Sequence, residues 1–562
     1  MQQSIIKDRT RAQLSTSAIE RMYISMRHLF SRGFYKPMGI SGESLRQSLL
    51  LLKPEIYGSI TEEKVELKGL VYVMDRLPLG IEQCRFINLT SNEGHSKSRF
   101  KAIIPAKRRR ICYRIDKDQM NIEVTRGRSE IYDILTHLTF LFIESHKIAK
   151  KVLTNEENGV ARAWKKLSDV VLNDKKITQD ESEILLAHVA NIVGRTFEET
   201  RNLYFELETE DNPDRLFQII YWIGQLAIDE KINELKRSIT FSPVLRERIG
   251  HHFYGEIWAN SIKKKLNDEN LLGRPLHIIS ANMHSVMNSI YAPIVLADRI
   301  INNEINSIFE ELSDDKNENL RSEVKNYAAD HGLYYVEDTS GTNINVQIID
   351  TEKIELSKSQ YSTERNLKEE KGPVIIVMDY AFGEQAYETM DELLKPYTCN
   401  KSKKHYLNVI SVSIMGKAGI LEGGKGDILI PTSHVFEGTS DNYPFKNRLK
   451  KKLFDGCGVD VYSGAMVTVL GTSLQNKELL KFFYESTWKV IGLEMEGAHY
   501  QKAIQAASKI RGNISSKVKV RYAYYASDNP LKSGSTLASG GLGTTGVLPT
   551  YVITQKILEQ IF

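Results

Sequence analysis

Apolar and polar positions along the chain follow two regimes. Up to about Asp330 the apolar residues recur mostly at helical spacing. "STSAIERMYISMRHLF" opens on Ser/Thr capping signals, and "SEIYDILTHLTFLFIESHKIAKKVL", "ESEILLAHVANIVGRTFEETRNLYFEL" and "DRLFQIIYWIGQLAIDEKINELKRSI" repeat the pattern. Between them, "KVELKGLVYVMDRL", "CRFINLT", "RFKAIIPA" and "ICYRIDKDQMNIEVTR" are shorter and richer in β-branched residues, which predicts a small strand-containing insert over 64–126. A polar, charged stretch over 351–372 reads as a linker or a long surface excursion. After it, "PVIIVMD", "LNVISVSIM", "GDILIP", "VTVLG", "KVIGL" and "VKVRYAYYASD" are short apolar runs separated by turns or helical patterns. That alternation predicts an α/β domain over 373–562 with a mainly parallel, buried sheet. The expected organisation is a largely helical region over 1–350, the linker, and the α/β domain.

Composition narrows the class. A length of 562 residues exceeds what one hydrophobic core usually serves. The formal charge of +4 is small for that length, so a dedicated nucleic-acid binder is not expected. Four cysteines (Cys84, Cys112, Cys399 and Cys457) stand outside any CxxC spacing, as suits free thiols in a reducing cytoplasm. No secretory signal is evident in "MQQSIIKDRTRAQL", and the apolar run "ILTHLTFLFI" is too short to span a bilayer. The expectation is a cytoplasmic protein with no membrane partner.

Three motifs carry little. "AKRRRICYR" could hold phosphate electrostatically, but no aromatic platform accompanies it, and such a run serves equally as a solvated face or an anchor for acidic neighbours. His252 and Glu256 share a helical face, yet the other histidines are scattered, so no metal site is expected. "GILEGGKGD" matches the start of a phosphate-binding loop, but Gly426 stands where Ser or Thr would bind magnesium, and a strand rather than a helix follows. It reads as a glycine-rich turn feeding a strand.

The carboxylates are more informative. Glu494 and Glu496 in "VIGLEMEGAHYQKA" fall where a buried strand hands over to an amphipathic helix. A carboxylate accepts from two neighbouring hydroxyls at once, as in a ribose diol. Asp528 ends another apolar run, "YYASD", beside Ser527. Partly desolvated, such an acid would donate a proton near neutrality; it suits a turn equally well.

Taken in order, these segments resemble the nucleoside phosphorylase and nucleosidase superfamily. "VIIVMDYAFGEQAYETMDELL" is similar to its first strand, acidic loop and helix. "VISVSIMGKAGILEGGKGDILIP" resembles its strand–glycine turn–strand, and "VYSGAMVTVLGTS" the strand before its base-contacting loop. "VIGLEMEGAHYQKA" resembles its Glu-Met-Glu segment and "YYASDNPL" its Ser-Asp segment. The resemblance covers 373–562 and implies a three-layer α/β fold cleaving the N-glycosidic bond of a purine nucleoside or nucleotide. It implies Asp528 as the acid that protonates the leaving base, with Ser527 beside it. It implies Glu496 and Met495 against the ribose, Met466 and Val467 lining the base, and Glu384 orienting the nucleophile. Gly416 and Lys417 would meet phosphate or another anion. No cofactor is implied beyond inorganic phosphate as a possible cosubstrate, and homo-oligomers are usual in the family.

Two departures stand out. Apolar Ile414 and Met415 occupy the place of the family's phosphate-binding arginine, which favours water as nucleophile. The chain also lacks, between Leu394 and Asn408, room for the family's strand hairpin, so a catalytically degenerate nucleotide-binding regulator is the alternative.

Overall fold

The computed structural model describes residues 10–154, 159–173, 177–299, 305–355, 361, 371–398, 403–439, 441–533 and 543–562. These form two compact units. The first comprises 1–125, 130–251 and 473–476; the second comprises 126–129, 252–472 and 477–562.

The helices of the first unit follow the apolar periodicity. Arg11–Arg32 starts at Thr10, which forms a capping box with Gln13. The long run over 181–207 breaks into Gln179–Val193 and Phe197–Leu207, because Thr196 and Glu199 build a second capping box inside it. The expected strand insert holds only in part: "KVELKGLVYVMDRL" forms the helix Leu67–Met74, started by the Glu66 carboxylate accepting the Lys68 N–H, and the strands that follow are not a separate insert. Phe86–Thr90, Ala102–Ile103, Cys112–Arg114 and Gln119–Glu123 join Phe34–Tyr35 and Ser238–Phe241 in one six-stranded sheet. The basic run is an internal anchor. Asp133 accepts from Arg108 Nε at 2.9 Å and Nη2 at 2.7 Å and from Arg110 Nη2 at 2.6 Å, while Arg114 reaches the Gly80 carbonyl at 2.7 Å. Arg110 is fully buried, so part of this run is spent on holding the fold, while Lys107 and Arg109 are exposed.

The second unit is built on a ten-stranded sheet. Its strands are β1 (Leu276–Ser280), β2 (Leu333–Val336), β3 (Val346–Asp350), β4 (Val374–Met378), β5 (Val409–Ile420), β6 (Ile428–Phe436), β7 (Asn442–Pro444), β8 (Val461–Thr468), β9 (Val490–Glu494) and β10 (Lys519–Asp528). The order is β7-β6-β8-β9-β5-β1-β4-β3-β2, with β10 pairing both β5 and β6. Strands β5, β10, β6, β8 and β9 therefore close a ring, and β1, β4, β3 and β2 extend from it as an open wing. Residues of β1, β3 and β4 are buried throughout, as expected where helices cover both faces.

Strict alternation sorts those residues into two layers. Ile278, Val374, Ile376 and Met378 pack with α1 (Phe253–Asp268), α3 (Gln385–Leu393) and α4 (Gly497–Gln505). Ile279, Ile375 and Val377 pack on the other face with α2 (Met283–Val295) and α5 (Val547–Leu558). Each such side chain, withdrawn from water, stabilises the layer by roughly 1.5–3 kcal/mol before entropy is counted.

This architecture moves the expected boundary. The sheet begins at β1, about a hundred residues before the expected start at Pro373, and β4 is not its first strand. The described ends of the charged stretch lie between β3 and β4, which pair antiparallel within one unit, so it is not a linker between domains. Most of it, 356–360 and 362–370, lies outside the described residues, as does Cys399. Between Leu394 and Asn408 the described residues hold two short paired strands, Tyr397–Thr398 and Lys404–His405, and a longer hairpin, β2–β3, lies upstream of β4.

Candidate functional site

The chemistry gathers where β9, β10, β4 and β5 lead into their loops. Gly419 of β5 pairs with Leu493 of β9 on one side and Asp528 of β10 on the other. Two strand spacings, about 10 Å, therefore separate the ends of β9 and β10 at this level.

At the end of β9, Glu494 is fully buried and acts on the backbone. Its Oε2 accepts the N–H of Glu496 at 2.6 Å and that of Gly497, and its Oε1 accepts from Thr468 Oγ1. Burial pushes this carboxyl up, but His434, Thr468 and the Gly497 N–H outweigh it and hold the group below the usual glutamate range. Glu494 is thus a buried anion at the N-terminus of α4, where backbone N–H groups are otherwise orphaned.

Glu496, two residues on, is half-buried and accepts the Gly383 N–H on Oε1 at 2.8 Å. Burial, reinforced by the charge of Glu494, pushes its carboxyl up to about 8. Gly383 has φ +56°, and a Cβ there would lie 2.4 Å from Ser129 Oγ and 3.7 Å from Met495 Cε. The loop after β4 therefore sits tightly between Ser129 and the Met495–Glu496 pair. Glu384 donates its N–H to Ser129 Oγ at 2.8 Å, and its carboxylate accepts from Arg128 at 2.9 Å. The Arg126 guanidinium stacks over Phe382, 4.8 Å from the ring centre.

Asp528 ends β10 with Ser527 Oγ 2.6 Å from its Oδ1; the same hydroxyl lies 3.1 Å from the Ala418 carbonyl, and its one proton serves either. Lys417 is exposed on β5; partial desolvation lowers its ammonium, and the nearby charge of Asp528 opposes that. Gly416 faces Tyr380, whose ring would lie 3.6 Å from a Cβ at that position. The expected glycine-rich turn is present, joining β5 to β6, with Asp427 accepting the Gly424 N–H at 2.7 Å.

The structure brings together Glu496, Met495, Glu384 and the Gly383 loop, and separately Asp528, Ser527 and Lys417. Met466 and Val467 lie on β8 beside the end of β9, where Val467 pairs with Leu493 and Thr468 with Glu494. Both are fully buried on β8, and Met466 packs in the core with Leu429, Ile491 and Tyr500. His252 meets Glu392 and Asp391 rather than Glu256. Glu392 is bound by Lys395 at 2.5 Å and Asp391 by Arg511, so both carboxylates already have cationic partners.

Several contributors have no sequence motif. Tyr380 Oη accepts the Asn282 N–H at 3.0 Å, tying the loop after β4 to the start of α2. His284 and Asp379 flank that junction; desolvation lowers the imidazole while the charge of Asp379 opposes it. Tyr500 donates to or accepts from Ser280 at 3.1 Å, and burial plus the charges of Glu496 and Asp379 raise its hydroxyl. Only the adjacency of β1 and β4 could have flagged these residues.

The second unit is thus an α/β protein module with a carboxylate-bearing site at the end of a ring of strands. The sequence matches the model of a family of unknown function, DUF6909, over residues 43–303 and 308–562, and the chain belongs to that family. No curated protein matches the sequence. Among solved structures, the chain is similar to the 5'-methylthioadenosine/S-adenosyl homocysteine nucleosidase of Campylobacter jejuni. The identity is 11% and the TM-score 0.30, over 51% of this chain and 98% of that one. The corresponding nucleosidase of Helicobacter pylori with butyl-thio-DADMe-Immucillin-A gives 13% and 0.31, over 51% and 99%. The futalosine hydrolase of Helicobacter pylori gives 12% and 0.28, over 50% and 99%. No helix among the described residues is long and apolar enough to cross a membrane.

Proposed function

We propose that the second unit binds a purine nucleoside or nucleotide and cleaves its N-glycosidic bond. The observation that carries the reading is the register at Gly419, which sets the Asp528 end of β10 and the Glu494–Glu496 end of β9 on either side of one β5 residue. A ligand about 10 Å long reaches both. In this reading Glu496 holds the ribose diol with Met495 against the sugar. Asp528 gives its proton to a purine nitrogen as the C1'–N bond breaks and the bonding pair leaves with the base. The Ser527 hydroxyl holds the Asp528 carboxyl in place. Glu384 is engaged by Arg128, so Asp379, close to His284 and Tyr500, is better placed to orient the nucleophile. The oxygen of water adds to C1' as its proton passes to the Asp379 carboxylate, or a phosphate oxygen adds as an anion, and Lys417 offers a point charge to an anionic group. The order of the motifs over 373–562 supports the same reading.

The test is direct. The protein is incubated with adenosine, AMP, inosine and methylthioadenosine, with and without phosphate, and free base is measured. Base release without phosphate identifies a nucleosidase, and phosphate-dependent release a phosphorylase. Binding with no release overturns the catalytic reading and leaves a nucleotide-binding regulator; neither binding nor release overturns both.

A further inference from the structure

Glu494 is a buried carboxylate whose oxygens are consumed by its own fold. Oε2 takes the N–H groups of Glu496 and Gly497, and Oε1 takes the Thr468 hydroxyl, whose oxygen in turn accepts the Ala498 N–H at 3.0 Å. Behind it sits His434, fully buried, with Nδ1 3.5 Å from Glu494 Oε1. The imidazole is clamped by aromatic rings: Phe445 stacks on it at 5.2 Å, and Tyr522 meets it edge-on at 4.8 Å. The α4 backbone closes against the same ring, since a Cβ on Gly497 would lie 2.4 Å from His434 Cε1. A charged side chain alone would be costly so deep in the ring of strands; a hydrogen-bonded anion beside an imidazole is tolerable.

We propose that Glu494 is the positioning residue for Glu496, with His434 and Thr468 as its anchors. Through the N–H groups of Glu496 and Gly497, the carboxylate fixes the turn between β9 and α4, and that turn aims the Glu496 side chain at the Gly383 loop. The inference rests on the reading of Glu496 as the ribose-holding group, but its physical content needs no ligand. Glu494 fixes a negative charge beside Glu496, so removing that charge changes how readily Glu496 ionises. The other groups facing Glu496 are the Gly383 N–H from the loop after β4, Tyr524 from β10 and Tyr500 from α4. Both hydroxyls are raised by burial and stay neutral over the range tested.

Met495 provides the readout. Its ε-methyl lies against Gly383 beside Glu496, and the full-length protein labelled with 13C-methyl methionine has 13 such probes. The Met495 resonance is assigned with Met495→Leu and followed against pH. In the native protein it titrates with a midpoint near 8, and in Glu496→Gln the step disappears. Glu494→Gln lowers the midpoint by about 1 unit or more. His434→Gln moves it in the same direction by a smaller amount, because one of the groups that favour the charged form of Glu494 is removed; this variant also serves if Glu494→Gln does not fold. An unchanged midpoint in either folded variant overturns the proposal. Nucleoside binding measured on the same samples tests the ribose assignment separately, so absence of binding with a shifted midpoint sinks the assignment and spares the positioning role.

Discussion

The backbone N–H of Gly383 donates to Glu496 Oε1 at 2.8 Å across 113 residues of chain. The bond joins the loop after β4 to the turn after β9, and both loops belong to the same end of the sheet. Gly383 is pressed from its other side by Ser129 Oγ, so the loop has no room to retreat.

Gly383→Ala is therefore expected to be poorly tolerated. Its positive φ disfavours any Cβ, and the added carbon would lie 2.4 Å from Ser129 Oγ. A loss of about 1–3 kcal/mol is expected in denaturant unfolding, together with weaker nucleoside binding by calorimetry. Native stability and affinity in this variant would refute the packing described.

Asp528→Asn is expected to abolish base release, by at least about 100-fold, while leaving the melting temperature within a few degrees. Asparagine keeps an acceptor for Ser527 but has no carboxyl proton to give. Chromatographic assay of free base with adenosine and AMP decides it; unchanged turnover removes Asp528 from the chemistry.

Glu388 predicts a pH dependence of stability. It is buried on α3, and desolvation pushes it up to about 8, the charge of nearby His252 opposing. In the unfolded chain a glutamate titrates near 4.3. Between these values the folded protein binds the proton and the unfolded chain does not, so stability falls as pH rises from about 5 to 8 and levels off above. Glu388→Gln is expected to remove on the order of 2 kcal/mol of that fall. Parallel urea titrations of both proteins at pH 5, 6.5 and 8 give the comparison, and equal slopes against pH would count against a neutral Glu388.

Arg110→Met tests the basic run in the first unit. The substitution leaves Asp133 with Arg108 and deprives buried Glu130 of a cation 3.3 Å away. A loss of about 3 kcal/mol is expected by chemical denaturation. No salt-sensitive affinity for RNA or DNA is expected in either form; a binding isotherm that weakens with salt and is lost in the variant would restore the nucleic-acid reading.

Much of the second unit was legible before any tertiary contact was known. The apolar runs from "PVIIVMD" to "VKVRYAYYASD" mark strands β4, β5, β6, β8, β9 and β10, although "VTVLG" catches only the last two residues of β8 and the short β7 has no run; strands covered on both faces are apolar at nearly every position. The handover at Glu494 was legible too, since the period changes there from two to about three and a half. The earlier half of the sheet was not legible. "LHIIS" and "VQIID" each have only five residues, and flanking helices dominate the local periodicity. A run that short reads equally as part of a buried helix.

The sequence by itself determined most of the strands after Pro373, that two carboxylates follow one strand, and that Ser527 and Asp528 end another. Those are local properties, set by side-chain size, polarity and backbone preference. Only the tertiary structure decided which of the two glutamates is spent on the fold. Glu494 and Glu496 are chemically identical, and their difference arises from what converges on them. His434 and Thr468 from strands β6 and β8 surround the first, and Gly383 from the loop after β4 meets the second. Partners brought together by chain closure leave no spacing signal along the chain, so burial and charge at each carboxylate become readable only when the ring of strands is closed.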